Sequence, residues 1–281
     1  MRCVFSLIVP AFLLLAPTAA VAGAASSGAN SLTEQANARM RLCNSTVNPS
    51  VAVTGCSAMI RNGGPQNLVS AAYNNRGLAH FTLGEDELAI ADFNEALNLN
   101  PKNTDALRNR GDYYQAIGDP AHAIEDYTAG VAISPKSAEI FNQRGNSYLS
   151  RGEVPKALAD YTQSITINPR FAGAYVNRGQ AHRAEKQPDL AIQDFDAAIK
   201  IDSRLAIAYA ARAIVYEDKN DYTRAIADFT QAIRIDPKYV QAYDERAAAY
   251  DHMGAHDKAV ADAAEAARLD PQNADVHRLS R

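Results

Sequence analysis

Few residues in this chain have the type and spacing that chemistry needs. Cys43 and Cys56 stand thirteen residues apart, while Cys3 sits alone near the start. Two thiols so spaced can close a disulfide, exchange electrons or help to hold a metal. A redox or metal site would want a further ligand type nearby, and none is there, so a structural disulfide worth roughly 3 kcal/mol is the preferred reading. His252 and His256 are four apart, but Gly254 interrupts them and no glutamate completes a zinc-protease motif. No Ser–His–Asp or Cys–His arrangement stands out, and no glycine-rich phosphate loop. The acidic residues fall at regular intervals rather than in one converging cluster. The expectation is therefore no enzyme, no metal and no cofactor.

One ionic pattern recurs. Arg76, Arg110, Arg144, Arg178, Arg212 and Arg246 are each followed sixteen residues on by an aspartate: Asp92, Asp126, Asp160, Asp194, Asp228 and Asp262. A basic ladder for an anionic ligand is one reading. Structural ion pairs, within a repeat or between neighbours, are the preferred one; exposed pairs of this kind contribute only ~0–1 kcal/mol, whereas buried ones fix register.

The elements that carry these residues repeat every 34 residues from Ser70 to Asn273, six times and without a gap. An alanine recurs at Ala89, Ala123, Ala157, Ala191, Ala225 and Ala259. Four residues on stands an aromatic (Phe93, Tyr127, Tyr161, Phe195, Phe229), replaced in the last repeat by Ala263, and three later a small residue. The first half of each repeat follows the same logic, as in Tyr73, Gly77 and His80. Spacings of three and four put residues on one helix face. Each repeat thus reads as two short amphipathic helices around a turn, with Asp119-Pro120 as an N-cap followed by proline at the first helical position. Two helices cannot bury their apolar faces alone, so the repeats must stack as a solenoid.

The pattern resembles the tetratricopeptide repeat (TPR), a 34-residue two-helix unit with a bulky residue, Gly, Tyr, Ala, aromatic, Ala and Pro at set places. In the first repeat these are Tyr73, Gly77, His80, Ala89, Phe93, Ala96 and Pro101. The arginine before the glycine is a departure, since the family usually has leucine there. The resemblance implies an all-α, right-handed TPR superhelical solenoid whose first helices line a concave groove, and a non-catalytic protein that binds peptides or proteins. It places Asn74, Asn75, Arg108, Asn109, Asp112, Asn142, Gln143, Asn146, Asn177 and Gln180 along that groove. A row of amides can donate and accept at once, and so can grip a peptide backbone regardless of its side chains. The asparagine ladder in the TPR arm of O-linked N-acetylglucosamine transferase is such a case within the family. A carboxylate clamp would draw on Arg108 and Arg183.

Residues 1–24 read as a secretory signal, with Arg2, the apolar run Val4–Ala16 and the small-x-small site Ala20-Val21-Ala22. Residues 25–32 read as a flexible leader, and 33–69 as a degenerate, cysteine-containing TPR-like cap. The six TPRs are 70–103, 104–137, 138–171, 172–205, 206–239 and 240–273, and 274–281 is a C-terminal stub. A formal charge of −4 argues against nucleic acid. The expected location is periplasmic or secreted, with an uncut membrane anchor less favoured and no integral membrane segment in the mature chain. The expected function is a cell-envelope scaffold or adaptor for an extended peptide or partner protein. The alternatives are a structural, self-assembling solenoid, weakly homo-oligomeric through its open ends, and a glycan or small-molecule binder using the same groove.

Overall fold

A computed structural model describes residues 37–45 and 47–273. The expected signal peptide, the leader, the start of the cap and the 274–281 stub lie outside these residues. The described residues form fourteen α-helices and one short 3-10 turn, with no strand. Helical residues 37–43 are called α1. The chain divides into two compact units, Met1–Arg151 and Gly152–Arg281.

The first unit carries α1, α2 (Pro49–Asn62), α3 (Gln66–Leu83), α4 (Asp86–Leu99), α5 (Thr104–Ala116), α6 (Pro120–Ile133) and α7 (Ala138–Ser150). Helix starts are set locally. The side chains of Asn48, Asn103, Asp119 and Ser137 accept from the backbone N–H groups of Val51, Ala106, His122 and Ile140, satisfying donors that the first turn leaves open. Helix α3 begins at Gln66, four residues ahead of the 34-residue period. Gly63-Gly64-Pro65 breaks the chain there, and the amides of Leu68 and Val69 bond back to the Pro65 carbonyl. The three residues 67–69, read from the sequence as the end of the cap, therefore lengthen the first helix.

Within a repeat, the aromatic of the second helix presses on the glycine of the first. A Cβ at Gly77 would lie 2.9 Å from the Phe93 ring, and one at Gly111 would lie 2.6 Å from Tyr127 Cε1. Phe93 and Tyr127 are fully buried as a result. Paired helices α3–α4 and α5–α6 pack along their length, and first helices also touch, α3 on α5 and α5 on α7. The first helices therefore form one layer.

The second unit repeats the scheme in α8 (Val154–Ile167), α9 (Ala172–Ala184), α10 (Pro188–Ile201), α11 (Ala206–Asp218), α12 (Tyr222–Ile235), α13 (Val240–His252) and α14 (His256–Leu269). Phe195 sits under Gly179, and Phe229 is fully buried although Ala213 stands in the glycine place. The turn between paired helices needs one left-handed residue. Gly84, Gly118, Gly152 and Gly254 supply it in four repeats, while Lys186 (φ 57°) and Asn220 (φ 60°) are forced into it in the other two.

Candidate functional site: the first-helix face and the ion pairs behind it

The repeated arginine leaves the first helix one residue before the glycine place, and in five repeats it turns toward the second helix of its own repeat. Arg76 donates from Nε and Nη2 to Asp92 Oδ2 and Oδ1 at 2.7 and 2.8 Å. Arg110 does the same with Asp126 at 2.8 and 2.7 Å. In the second unit Arg178 reaches Asp194 at 2.9 and 2.7 Å, Arg212 reaches Asp228 at 2.7 and 2.8 Å, and Arg246 reaches Asp262 at 2.7 and 2.7 Å. The aspartates are buried and the arginines half-buried. This is bidentate fork-to-carboxylate geometry. Hydrogen bonding to the carboxylate, opposed by burial, holds Arg76, Arg110 and Arg178 above the ordinary arginine range. Arg144 and Asp160 fall in different units; Arg144 stacks over Phe141 at 5.5 Å, and Asp160 is buried.

The third donor of each guanidinium faces the preceding second helix. Nη1 of Arg76, Arg110, Arg144, Arg178 and Arg246 donates to Ser57, Asn94, Thr128, Thr162 and Thr230 at 3.1, 2.6, 3.3, 3.3 and 3.0 Å, and that of Arg212 to Asp196. Except at Arg110, where Leu107 stands in that place, the ring three residues before the arginine covers its flank, with Arg76 5.3 Å from the centre of Tyr73 and Arg246 5.7 Å from that of Tyr243. The charge is committed on every side, so these arginines lock repeats together and offer little to a ligand.

The amides lie on the first-helix layer. In the first unit they bond to one another. Asn109 Nδ2 donates to Asn74 Oδ1 at 2.9 Å, Asn74 Nδ2 to Asn75 Oδ1 at 3.1 Å, and Asn75 Nδ2 to Asn44 Oδ1 at 2.9 Å. A second group centres on Gln143, whose Oε1 accepts from Asn142 at 3.3 Å and Asn146 at 3.1 Å and whose Nε2 donates to Asp112 Oδ1 at 3.0 Å. The same carboxylate accepts the Tyr127 hydroxyl at 2.5 Å. Burial, with the Asp112 charge behind it, pushes that phenol well above its usual range.

Access differs along the row. Asn74, Asn109, Asn142 and Asn146 are buried, whereas Asn75, Arg108, Asp112 and Gln143 are half-buried. Arg108 makes only a 3.8 Å ion pair with Asp105, and its Nε is buried without a hydrogen-bond partner. In the second unit Asn177 is buried and Gln180 half-buried, and Val176, Ala210 and Ala211 make the equivalent positions apolar. Arg183 is bound to Asp218 at 2.5 and 3.2 Å, which occupies one of the two arginines a carboxylate clamp would need. Asn44 was not among the sequence-predicted site residues; it stands just after Cys43 in the irregular cap, where repeat phase gave no signal.

Cys43 and Cys56 form a disulfide that joins α1 to α2, and both are buried with Ala72. Among the described residues no group of three or more His, Cys, Asp and Glu side chains could hold a metal ion, and no helix is long and apolar enough to cross a membrane.

Comparison with known proteins agrees with this architecture. Models described as Tetratricopeptide repeat match residues 70–103 and 206–239, and 172–204 and 240–273, and one described as TPR repeat matches 145–186. No curated protein is a significant match in sequence. Among solved structures, MamA is 27% identical, covering 59% of this chain and 96% of that one with a TM-score of 0.52. A tetratricopeptide repeat protein from Parabacteroides merdae is 21% identical, covering 86% and 94%, with a TM-score of 0.69. PilW, described as a widely conserved type IV pilus biogenesis factor, is 20% identical, covering 72% and 94%, with a TM-score of 0.66. Repeat phase, helix pairing and these matches agree: the chain is built of tetratricopeptide repeats and belongs with the all-α TPR solenoids.

Proposed function

We propose that this protein is a non-catalytic scaffold of the cell envelope that holds an extended peptide, or an extended segment of a partner protein, against its first-helix layer. The observation that carries this reading is the amide network of the first unit. Its members use only part of their hydrogen-bonding capacity on each other, since each amide has two donors and an acceptor with two lone pairs. The half-buried Asn75 and Gln143 bring that spare capacity to the surface, Gln143 beside the carboxylate of Asp112. Such a surface pairs with the alternating N–H and C=O groups of an extended chain and asks little of its side chains. The second unit offers Asn177 and Gln180 on its own first helices, followed by apolar positions.

The envelope location rests on two supports. The signal-like start suits export, and a buried structural disulfide suits an oxidising compartment. An export assay with a reporter fused behind residues 1–24 tests it; a reporter left in the cytoplasm would oppose the reading. The binding claim is tested by crosslinked pull-down from source cells, comparing wild type with an Asn75→Ala, Gln143→Ala variant of unchanged helicity. Loss of a specific partner supports the reading, and an unchanged partner set opposes it.

Self-assembly is a second reading, favoured by one feature. Val260 on α14 is 63% exposed, whereas Ile192 at the same phase packs into two core clusters. A monomer by light scattering at micromolar concentration would remove this reading.

A further inference from the structure

The amide row does not stop at the first regular repeat. It runs from Asn109 through Asn74 and Asn75 to Asn44, which belongs to the cap. Three features hold Asn44 there. The helix closes on it, its backbone N–H bonding to the Met40 carbonyl at 2.9 Å. The preceding residue is Cys43, fixed to α2 through Cys56. Gly55 lets the end of α1 lie directly on α2, since a Cβ there would be 2.5 Å from Cys43 N and 2.6 Å from Leu42 Cβ.

Accessibility along this chain of four amides rises toward the cap. Asn109 and Asn74 are each 5% exposed, Asn75 is half-buried and Asn44 is exposed. Asn44 also keeps the most donor capacity of the four. Among the described residues it accepts one hydrogen bond from Asn75 and donates none, which leaves both its N–H groups for solvent or a ligand carbonyl.

We propose that Asn44 is the outermost binding residue of the amide row, and that the Cys43–Cys56 bridge serves to position it, so that an extended peptide begins its contacts on the cap. The proposal rests on the peptide-binding reading given above and adds to it the end of the site and the role of the bridge. Asn44 is the contacting residue; the two cysteines act only through its position.

The test uses the full, oxidised protein and, as probes, peptides selected on it from a random display library. Their affinities are measured by fluorescence anisotropy for wild type, Asn44→Ala, Asn75→Ala, the Cys43→Ser, Cys56→Ser pair and the combination of that pair with Asn44→Ala. Losing one net hydrogen bond is expected to weaken binding about fivefold in Asn44→Ala. The cysteine pair should show a similar loss, and the combination no further loss. An Asn44→Ala variant that binds within about twofold of wild type, or more tightly, while Asn75→Ala still weakens binding, overturns the proposal and leaves the groove reading standing. A tighter complex would show that Asn44 covers the first rung instead of extending the row. Failure to select any peptide, or affinities indifferent to Asn75→Ala as well, overturns the groove reading itself. Asn44→Ala alters an exposed side chain, so the test stands even if the cysteine variant loosens the cap.

Discussion

The Arg110–Asp126 pair sets a sharp energetic expectation. Asp126 is 5% exposed and takes two hydrogen bonds from Arg110, at 2.8 and 2.7 Å. Arg110 keeps a third bond to Asn94 and leaves 23% of its side chain in solvent. The two partners are thus unequal when left alone. Arg110→Met strands a buried carboxylate, and breaking a buried pair from that side costs about 3 kcal/mol. Asp126→Ala leaves a guanidinium that can turn toward water and keep Asn94, so about 1.5 kcal/mol is expected. The double variant removes both charges together and should lose about 2 kcal/mol, well under the sum, because an apolar replacement of a buried pair is often near neutral. The coupling energy is then about 2.5 kcal/mol. The assay is urea unfolding followed by far-UV circular dichroism, with hydrogen exchange in α5 and α6 because repeat arrays unfold in parts. Additive losses, or Asp126→Ala costing more than Arg110→Met, would show that the two side chains do not act as a buried pair.

Three further expectations follow from local geometry. Gly111→Ala drives a Cβ to 2.6 Å from the fully packed Tyr127 ring and should cost about 1–3 kcal/mol in urea unfolding; a neutral result would contradict the close approach. Lys186→Gly relieves a left-handed residue at φ 57° and should raise stability by about 0.5–1 kcal/mol, with no gain counting against strain there. His122 is raised above 6.5 by the Asp119 side chain and Asp119 is lowered by His122, so the stabilisation from this pair is fully present between about pH 4 and pH 6.5; it is lost as pH rises through the raised imidazole value or falls through the lowered carboxyl value. An NMR titration should place the His122 midpoint above 6.5 and return it toward that value in Asp119→Asn.

Much of the fold could be read from the chain because packing imposes one residue type at one place in every repeat. The aromatic of the second helix and the glycine of the first recur together since one ring lies on one backbone, as with Tyr127 and Gly111. The Arg–Asp offset was equally legible, being a constant sixteen residues. Its second function was not: the acceptor of the third donor changes from Ser57 to Asn94 to Thr128, and only a hydroxyl or carbonyl oxygen at one spot is needed. Helix α3 begins early because a Gly-Gly-Pro break overrides the period. The amides looked like independent ligand contacts in sequence. Folding instead places Asn74 between Asn75 and Asn109, close enough to bond both, and buries it. Asn44 entered the row through the disulfide-tied cap, where spacing no longer tracks geometry.

The central claim is that the first-helix layer of the first unit meets the partner. A photo-crosslinking residue placed at Leu78, which is 42% exposed one turn beyond Asn74 and Asn75, tests it most directly in source cells against the same residue at Asn98, exposed on the second helix. A discrete adduct is expected from position 78, lost in the Asn75→Ala, Gln143→Ala variant, and none from position 98. An adduct from position 98 with none from 78 would contradict the claim and move the binding surface to the second helices.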